Sequence, residues 1–131
     1  MTKRTNPGDV ANSFVRCLLA DIGDALGGFS QGDWETTLEY FDNRCAYSGQ
    51  PLDTKTVVRD HVIPHNKEHC GLHIFGNIVP ATREANNAKG SRNFREFILN
   101  DNVYLSGMDK AERERRFNRL NEFLTQSGYL L

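Results

Sequence analysis

Residues 57–89 read VVRDHVIPHNKEHCGLHIFGNIVPATREANNAK, and the order of residue types along this stretch decides the fold. Its skeleton is Asp60-His61, Pro64, Gly76-Asn77, Pro80, Asn86 and Lys89. Residues 54–59 include the β-branched Thr56, Val57 and Val58, which predicts a strand that ends where Asp60 and His61 stand. Pro64 has no N–H to offer and so forbids a regular ladder or helix beyond that point. Gly76-Asn77 is a turn signal, Ile78 and Val79 make a short apolar return strand, and Thr82 stands where it can cap a helix beginning near Arg83. The predicted unit is strand, long loop, short strand, helix. Asp60 and His61 on the strand end then face Asn86 on the first turns of the helix. Neighbours on a strand point to opposite faces, so the pair can divide its labour.

These residue types in this pattern suit the hydrolysis of a phosphodiester. That reaction needs a nucleophilic water, relief of charge on the non-bridging oxygens and stabilisation of the leaving oxygen. Asp60 and Asn86 supply hard oxygen ligands. Two protein oxygens, completed by waters and phosphate oxygens, suit an octahedral Mg²⁺ or Mn²⁺, whereas a histidine or thiolate cage suits zinc. His61 is a workable general base near neutral pH, and such a base is worth about two to four orders of magnitude in rate. Asn77 carries both a carbonyl acceptor and an amide donor and can pin the loop that orients His61. Lys89, three residues beyond Asn86, is expected to reach the phosphate, with Arg92 beside it.

With these residues in place, the segment resembles the HNH nucleases, the ββα-metal or His-Me finger class. That family's motif is an Asp-His or His-His pair, a middle Asn, and a final His or Asn with a lysine three residues on. The corresponding slots here are Asp60-His61, Asn77, Asn86 and Lys89. The version with Asp first and Asn last is similar to the HNH domain of the CRISPR RNA-guided DNA nucleases, whose middle and last asparagines are separated by the same interval. Cys45-Ala46-Tyr47-Ser48-Gly49 also resembles the Cys-x-Tyr-Ser/Thr-Gly segment of those domains. The similarity spans residues 34–97. It implies Asp60 and Asn86 as metal ligands, His61 as the base and Asn77 as the orienting group, with Lys89 a looser transfer because its role varies across the family.

One departure from the family pattern is informative. Many members add a structural zinc held by two Cys-x-x-Cys pairs, one before the first strand and one in the turn leading to the helix. In this chain those four places hold Cys45 and Ser48, then Thr82 and Ala85. Three of the four thiols are missing, so no structural zinc is expected, and the finger must be held by packing against its flanks.

Taken singly, each signal has a plainer reading. An Asp-His dipeptide arises by chance in roughly one chain in five of this size, so the pair alone proves little. Asn77 after a glycine can be a left-handed turn residue, and Asn86-Asn87 can be an exposed helix face. It is the conjunction, in one register and on the strand-to-helix context the chemistry requires, that carries the nuclease reading. His61, His65, His69 and His73 recur every four residues. Pro64 and Gly71 interrupt any helix there, so no metal stripe is expected; an approach of His65 to the site or the DNA is left open as the less favoured reading, and His69 and His73 are expected in solvent or packed on the loop.

Composition bounds the rest. At 131 residues the chain is expected to be a single domain. Three cysteines without framework spacing, no apolar core in MTKRTNPGDVANS and no long apolar run predict a cytoplasmic protein without disulfides or a membrane span. Sixteen Lys plus Arg against 17 Asp plus Glu leave a net charge of -1, which argues against a general DNA coat. The basic residues nevertheless cluster after the site: Lys89, Arg92, Arg95, Lys110, Arg113, Arg115, Arg116 and Arg119. They form either a phosphate-binding face or a solvated helix laced with pairs such as Glu112 with Arg116.

The flanks read as helices. Asn6-Pro7-Gly8-Asp9 starts the first, and Val10, Phe14, Cys17, Leu18, Ile22 and Leu26 recur at helical intervals until Gly27-Gly28. Ser30 or Asp33 caps a second helix bearing Trp34, Leu38 and Phe41. Phe94, Phe97, Ile98 and Leu99 continue or extend the motif helix, and Ser106 or Asp109 opens a last one with Phe117, Leu120, Phe123 and Leu124. These stripes, Cys17 included, are expected to be core. The expectation is an α+β chain, a ββα-metal (His-Me) finger over about residues 45–97 flanked by about three further α-helices in 7–44 and 98–131. It would act as a Mg²⁺- or Mn²⁺-dependent DNA endonuclease in restriction, in a phage or mobile element, or in defence. One metal cuts one strand, so a double-strand break needs a homodimer, two successive nicks or a partner protein. The reading from another class is a catalytically silent ββα module that binds nucleic acid or a protein partner.

Overall fold

The computed structural model describes residues 6–100, 102 and 104–130; residues 1–5, the start of the segment read for a leader, lie outside it. Among the described residues the chain is α+β, with five helices and a two-stranded antiparallel sheet. The order is α1 (Pro7–Ala25), α2 (Gln31–Tyr40), β1 (Val58–His61), β2 (Ile78–Ala81), α3 (Arg83–Lys89), α4 (Phe94–Leu99) and α5 (Lys110–Gln126). β1 pairs with β2 in the register Val58 to Ala81, Arg59 to Pro80, Asp60 to Val79 and His61 to Ile78.

β1 begins later than the β-branched run suggests. Asp53 captures the preceding residues in a turn, its carboxylate accepting from the Lys55 N–H at 2.9 Å and its carbonyl from Thr56 and Val57. Local side-chain and carbonyl bonds here outcompete strand propensity. The shift puts Asp60 and His61 inside the strand, with Asp60 turned inward and His61 half-exposed. Thr82 caps α3, its hydroxyl accepting from the Ala85 N–H at 3.2 Å. α3 and α4 are separate helices, because Gly90 takes a φ of +57° and turns the chain after Lys89.

The core lies where β2, α2, α4 and α5 meet. Every residue of β2 is buried, and Phe41, Tyr47, Phe97, Ile98, Leu120, Phe123 and Leu124 close around it. Phe123 packs its ring 5.2 Å from Phe41 and 5.7 Å from Phe75, so α5, α2 and the inter-strand loop share one apolar junction. Asp109 caps α5 by accepting from the Glu112 N–H at 2.7 Å, and Ser30 caps α2 in a reciprocal box with Asp33.

α1 departs from expectation. Its apolar stripe is not core: Val10, Phe14, Leu18, Ile22 and Leu26 are 42–68 % exposed, and Cys17 is exposed too. The helix seats a narrower face, Leu19 and Gly23, with Gly23 close against the His73 backbone and the Ile74 side chain. Asn12 accepts from the Lys67 N–H at 3.0 Å on the same side. Leu19, Gly23 and Asn12 therefore make the seated face of α1, and its exposed large apolar residues face away. No helix among the described residues is long and apolar enough to cross a membrane, and the three cysteines are free.

Candidate active site

Asp60 is fixed by two groups. The Tyr47 hydroxyl donates to its Oδ2 at 2.5 Å and the Lys89 ammonium lies 3.1 Å from the same oxygen. Tyr47 is fully buried and Lys89 is 1 % exposed. Burial pushes the Asp60 carboxyl up, with Lys89 and Tyr47 pulling against it, and burial pushes the Lys89 ammonium down, with Asp60 pulling against that. Burial also drives the Tyr47 phenol well above its ordinary range, the Asp60 charge adding to it, so Tyr47 serves as a donor.

Lys89 was expected at the phosphate. It instead points inward, because it stands one turn after buried Ala85 on the same face of α3, and its Nζ also donates to the His61 carbonyl at 2.9 Å. Arg92 is likewise committed: its guanidinium donates to the Lys89 and Ala88 carbonyls at 3.2 and 2.7 Å, closing the C-terminus of α3. Asn86 sits half-buried on α3, and its amide has no hydrogen-bond partner among the described residues. α3, which carries Asn86, packs on β1, which carries Asp60.

On the other side of β1, Asn77 is fully buried and clamps the long loop. Its Oδ1 accepts from the Ile63 N–H at 2.8 Å, and its Nδ2 donates to the Ile63 and Leu72 carbonyls at 3.0 and 2.9 Å. All three polar positions of the amide are used on backbone. Gly71 passes so close to the Ile63 carbonyl that a Cβ there would overlap it, and Cys70 before it takes a φ of +54°.

This loop brings three histidines together. The His61 Nε2 lies 2.9 Å from the His73 Nδ1, and the His65 ring stacks on His61 with centroids 5.1 Å apart and planes 17° apart. His65 is held by its Nδ1, which donates to the Gly71 carbonyl at 2.9 Å. His73, expected only to face solvent or pack on the loop, is thus a direct partner of His61. His61 is pushed down to a pKa of about 4, first by burial and then by the neighbouring His73, His65, Lys89 and Arg16. It is a neutral imidazole at physiological pH.

Sequence reading also missed Tyr47 and Arg16. Tyr47 stood inside the Cys-x-Tyr-Ser-Gly segment without a role. Arg16 lies on α1, remote in sequence, and nothing in a local pattern could have placed its charge beside His61. The basic run after Asn86 is largely engaged within the chain. Arg115 and Arg116 pair with Glu112 at 2.5 and 2.8 Å, Arg119 bonds the Tyr40 carbonyl and Asp42, and Arg95 lies 4.9 Å over the Phe117 ring.

The donor set was tested for a divalent ion. Among the described residues no group of three His, Cys, Asp or Glu side chains could hold a metal. Asp60 has Oδ2 committed to Tyr47 and Lys89, leaving Oδ1, and Asn86 offers an unpartnered amide oxygen. Both are hard oxygens of the kind Mg²⁺ takes while keeping several of its waters, and two of them do not make a closed cage. At the four positions compared above with zinc ligands, Cys45 and Thr82 meet through a hydroxyl-to-sulfur contact of 4.0 Å, and Thr82 bonds the Ala85 N–H. No protein-family model matches the chain, and no curated protein matches it.

Proposed function

We propose that the chain is a DNA endonuclease of the HNH, ββα-metal type, hydrolysing phosphodiester bonds with His61 as general base. The observation that carries the reading is a neutral, half-buried imidazole and a buried carboxylate side by side on β1, with an unpartnered Asn86 side-chain amide on the helix packed against that strand. At neutral pH this imidazole is unprotonated and has a lone pair for a proton from water, although its lowered pKa makes it a weaker base than a free imidazole. Asn77 holds the loop that carries His65 and His73 and so fixes the walls around His61. Lys89 ties the Asp60 side chain and the His61 backbone together, which sets their separation. Arg16 contributes positive charge beside His61, where a phosphate would arrive. Asp60 and Asn86 would hold Mg²⁺ or Mn²⁺, and that ion, when bound, supplies charge stabilisation to the phosphoryl and leaving oxygens.

A catalytically silent module is favoured by one observation: the Lys89 ammonium already neutralises Asp60, the carboxylate a metal would need. The two readings part in one experiment. Supercoiled plasmid is incubated with the protein and Mg²⁺ or Mn²⁺, beside EDTA and the His61→Ala variant. The nuclease converts plasmid to nicked or linear DNA only with metal, and His61→Ala loses about two to four orders of magnitude in rate. Metal-independent cutting, or equal cutting by His61→Ala, would remove the reading. No cutting together with no heat of Mg²⁺ or Mn²⁺ binding favours the silent module.

A further inference from the structure

We propose that His73 is a positioning residue for His61: its Nδ1 accepts the His61 Nε2–H and locks His61 in the tautomer whose Nδ1 lone pair is free. The proposal rests on the reading of His61 as a general base, and goes beyond it by naming what selects the reactive nitrogen.

A neutral imidazole has one N–H and one lone pair, on different nitrogens. The His61 Nε2 is engaged by the His73 Nδ1 at 2.9 Å, so Nε2 cannot meet a water. Only Nδ1 remains, and it has no partner among the described residues. Nδ1 accepts a proton only if the ring's own hydrogen resides on Nε2. His61 is then the donor in the contact with His73, and His73 carries its hydrogen on Nε2. If the contact ran the other way, His61 would present an N–H to the solvent and could not act as a base.

The surroundings hold both rings for this task. His65 stacks on His61, and its own orientation is unambiguous because the Gly71 carbonyl can only accept. His73 meets the Phe29 ring edge-on at 5.8 Å, and Gly23 of α1 packs against the His73 backbone. α1 and the segment that follows it thus brace the partner of the base. Outer partners that fix an imidazole's tautomer are worth about 10–100-fold in activity at comparable sites.

The test has two arms on the full chain. In the first, ¹⁵N-labelled protein without metal or DNA is studied by long-range ¹H–¹⁵N correlation at neutral pH, which reads the tautomer of each histidine. The expected result is an Nε2–H His61 in the wild type and a tautomer mixture in His73→Phe. An Nδ1–H His61 in the wild type, or an unchanged His61 in His73→Phe, would overturn the proposal. In the second arm, His73→Phe is expected to nick plasmid about 10–100-fold more slowly in kcat with KM little changed, and His73→Gln, which restores an acceptor, to recover most of the rate. Equal rates in His73→Phe and wild type would also overturn it. Should His73→Phe melt early, the comparison is made with His73→Leu and His73→Gln, chosen for matched melting temperatures. The first arm needs no cleavage, so failure of the nuclease reading leaves the tautomer result standing and is told apart from failure of this proposal.

Discussion

Replacing Lys89 by methionine isolates the buried pair that holds the seam between β1 and α3. The Lys89 Nζ lies 3.1 Å from the Asp60 Oδ2, with side-chain exposures of 1 % and 11 %, and 2.9 Å from the His61 carbonyl. At an effective dielectric of 20 a pair at that distance interacts by about 5 kcal/mol, from which the burial cost of both ions must be subtracted. Removing one partner does not recover that cost for the other. It leaves the buried Asp60 with the Tyr47 hydroxyl and the His61 backbone but no opposite charge, and a loss of about 3–5 kcal/mol is expected at pH 7, a large share of the stability of a small domain. The loss has a pH signature. Burial already raises the Asp60 pKa, and without Lys89 it rises further. The folded variant then takes up a proton that the unfolded chain, with an ordinary carboxyl, does not hold. Between those two pKa values stability falls as pH rises, so the penalty at pH 5 is smaller than at pH 7. Titration of other groups is common to wild type and variant and cancels in the comparison to first order. The assay is equilibrium urea unfolding of wild type, Lys89→Met, Asp60→Asn and the double variant at both pH values. The double variant is expected to lose clearly less than the sum of the singles, since no unpaired charge remains. A Lys89→Met loss under about 1 kcal/mol at pH 7, or one that is the same at pH 5, refutes the reasoning.

Asn77→Leu removes three buried backbone partners and leaves the Ile63 N–H and the Ile63 and Leu72 carbonyls unmet, so a loss of about 3 kcal/mol or more is expected; a shift below 1 kcal/mol in urea unfolding would show that the loop does not depend on this amide. His61 has its pKa lowered from 6.5 to about 4, so the unfolded chain binds more protons between those values and wild-type stability drops as pH falls through that window. The contribution is at most about 3 kcal/mol, less the screening of a ring that keeps some solvent contact, and His61→Gln should lack it; parallel pH profiles of the two proteins would contradict the burial of this imidazole. Phe14→Ser should change stability by no more than about 0.5 kcal/mol, because Phe14 is 68 % exposed, whereas Phe97→Ala should cost about 3–5 kcal/mol. A Phe14 variant that unfolds like a core variant would put α1's stripe back inside.

The strand, return strand and helix around the site were legible because each is announced locally. Val58 begins a run of extended residues, Gly76 takes a φ of +102° at the turn into β2, and Thr82 caps α3 as its position suggested. The stripe on α1 was equally legible as a stripe and was given the wrong side. Periodicity reports that a helix has an apolar face, not which surface meets it, and here Gly23 and Asn12 make the contact. The inward turn of Lys89 was readable and overlooked: Ala85 and Lys89 are four apart on α3 and share its buried face. His73 carried no such signal. Twelve residues separate it from His61, and its place depends on Cys70 and Gly71 bending the loop back on Ile63 and Pro64. A path set by positive φ and a close backbone approach leaves no period to read.

The bracing of that loop shows why the chain around the site is needed to make it. The Leu72 N–H donates to the Tyr129 hydroxyl at 2.8 Å, Lys67 reaches the Gly8 carbonyl, and Asn77 closes the loop on itself. Tyr129 follows α5 and Gly8 begins α1, so both ends of the described chain buttress the segment that carries His65 and His73. Cys45 and Thr82 meet in a hydroxyl-to-sulfur contact, and the turn bearing Tyr47 is tied to β2 by the Ala46 N–H donating to the Pro80 carbonyl at 2.9 Å. Perturbations far from His61, at Tyr129 or along the seated face of α1, therefore act on the same imidazole as perturbations of its direct partners. Phe14 and Leu18, on the uncovered face of that helix, are decoupled from it.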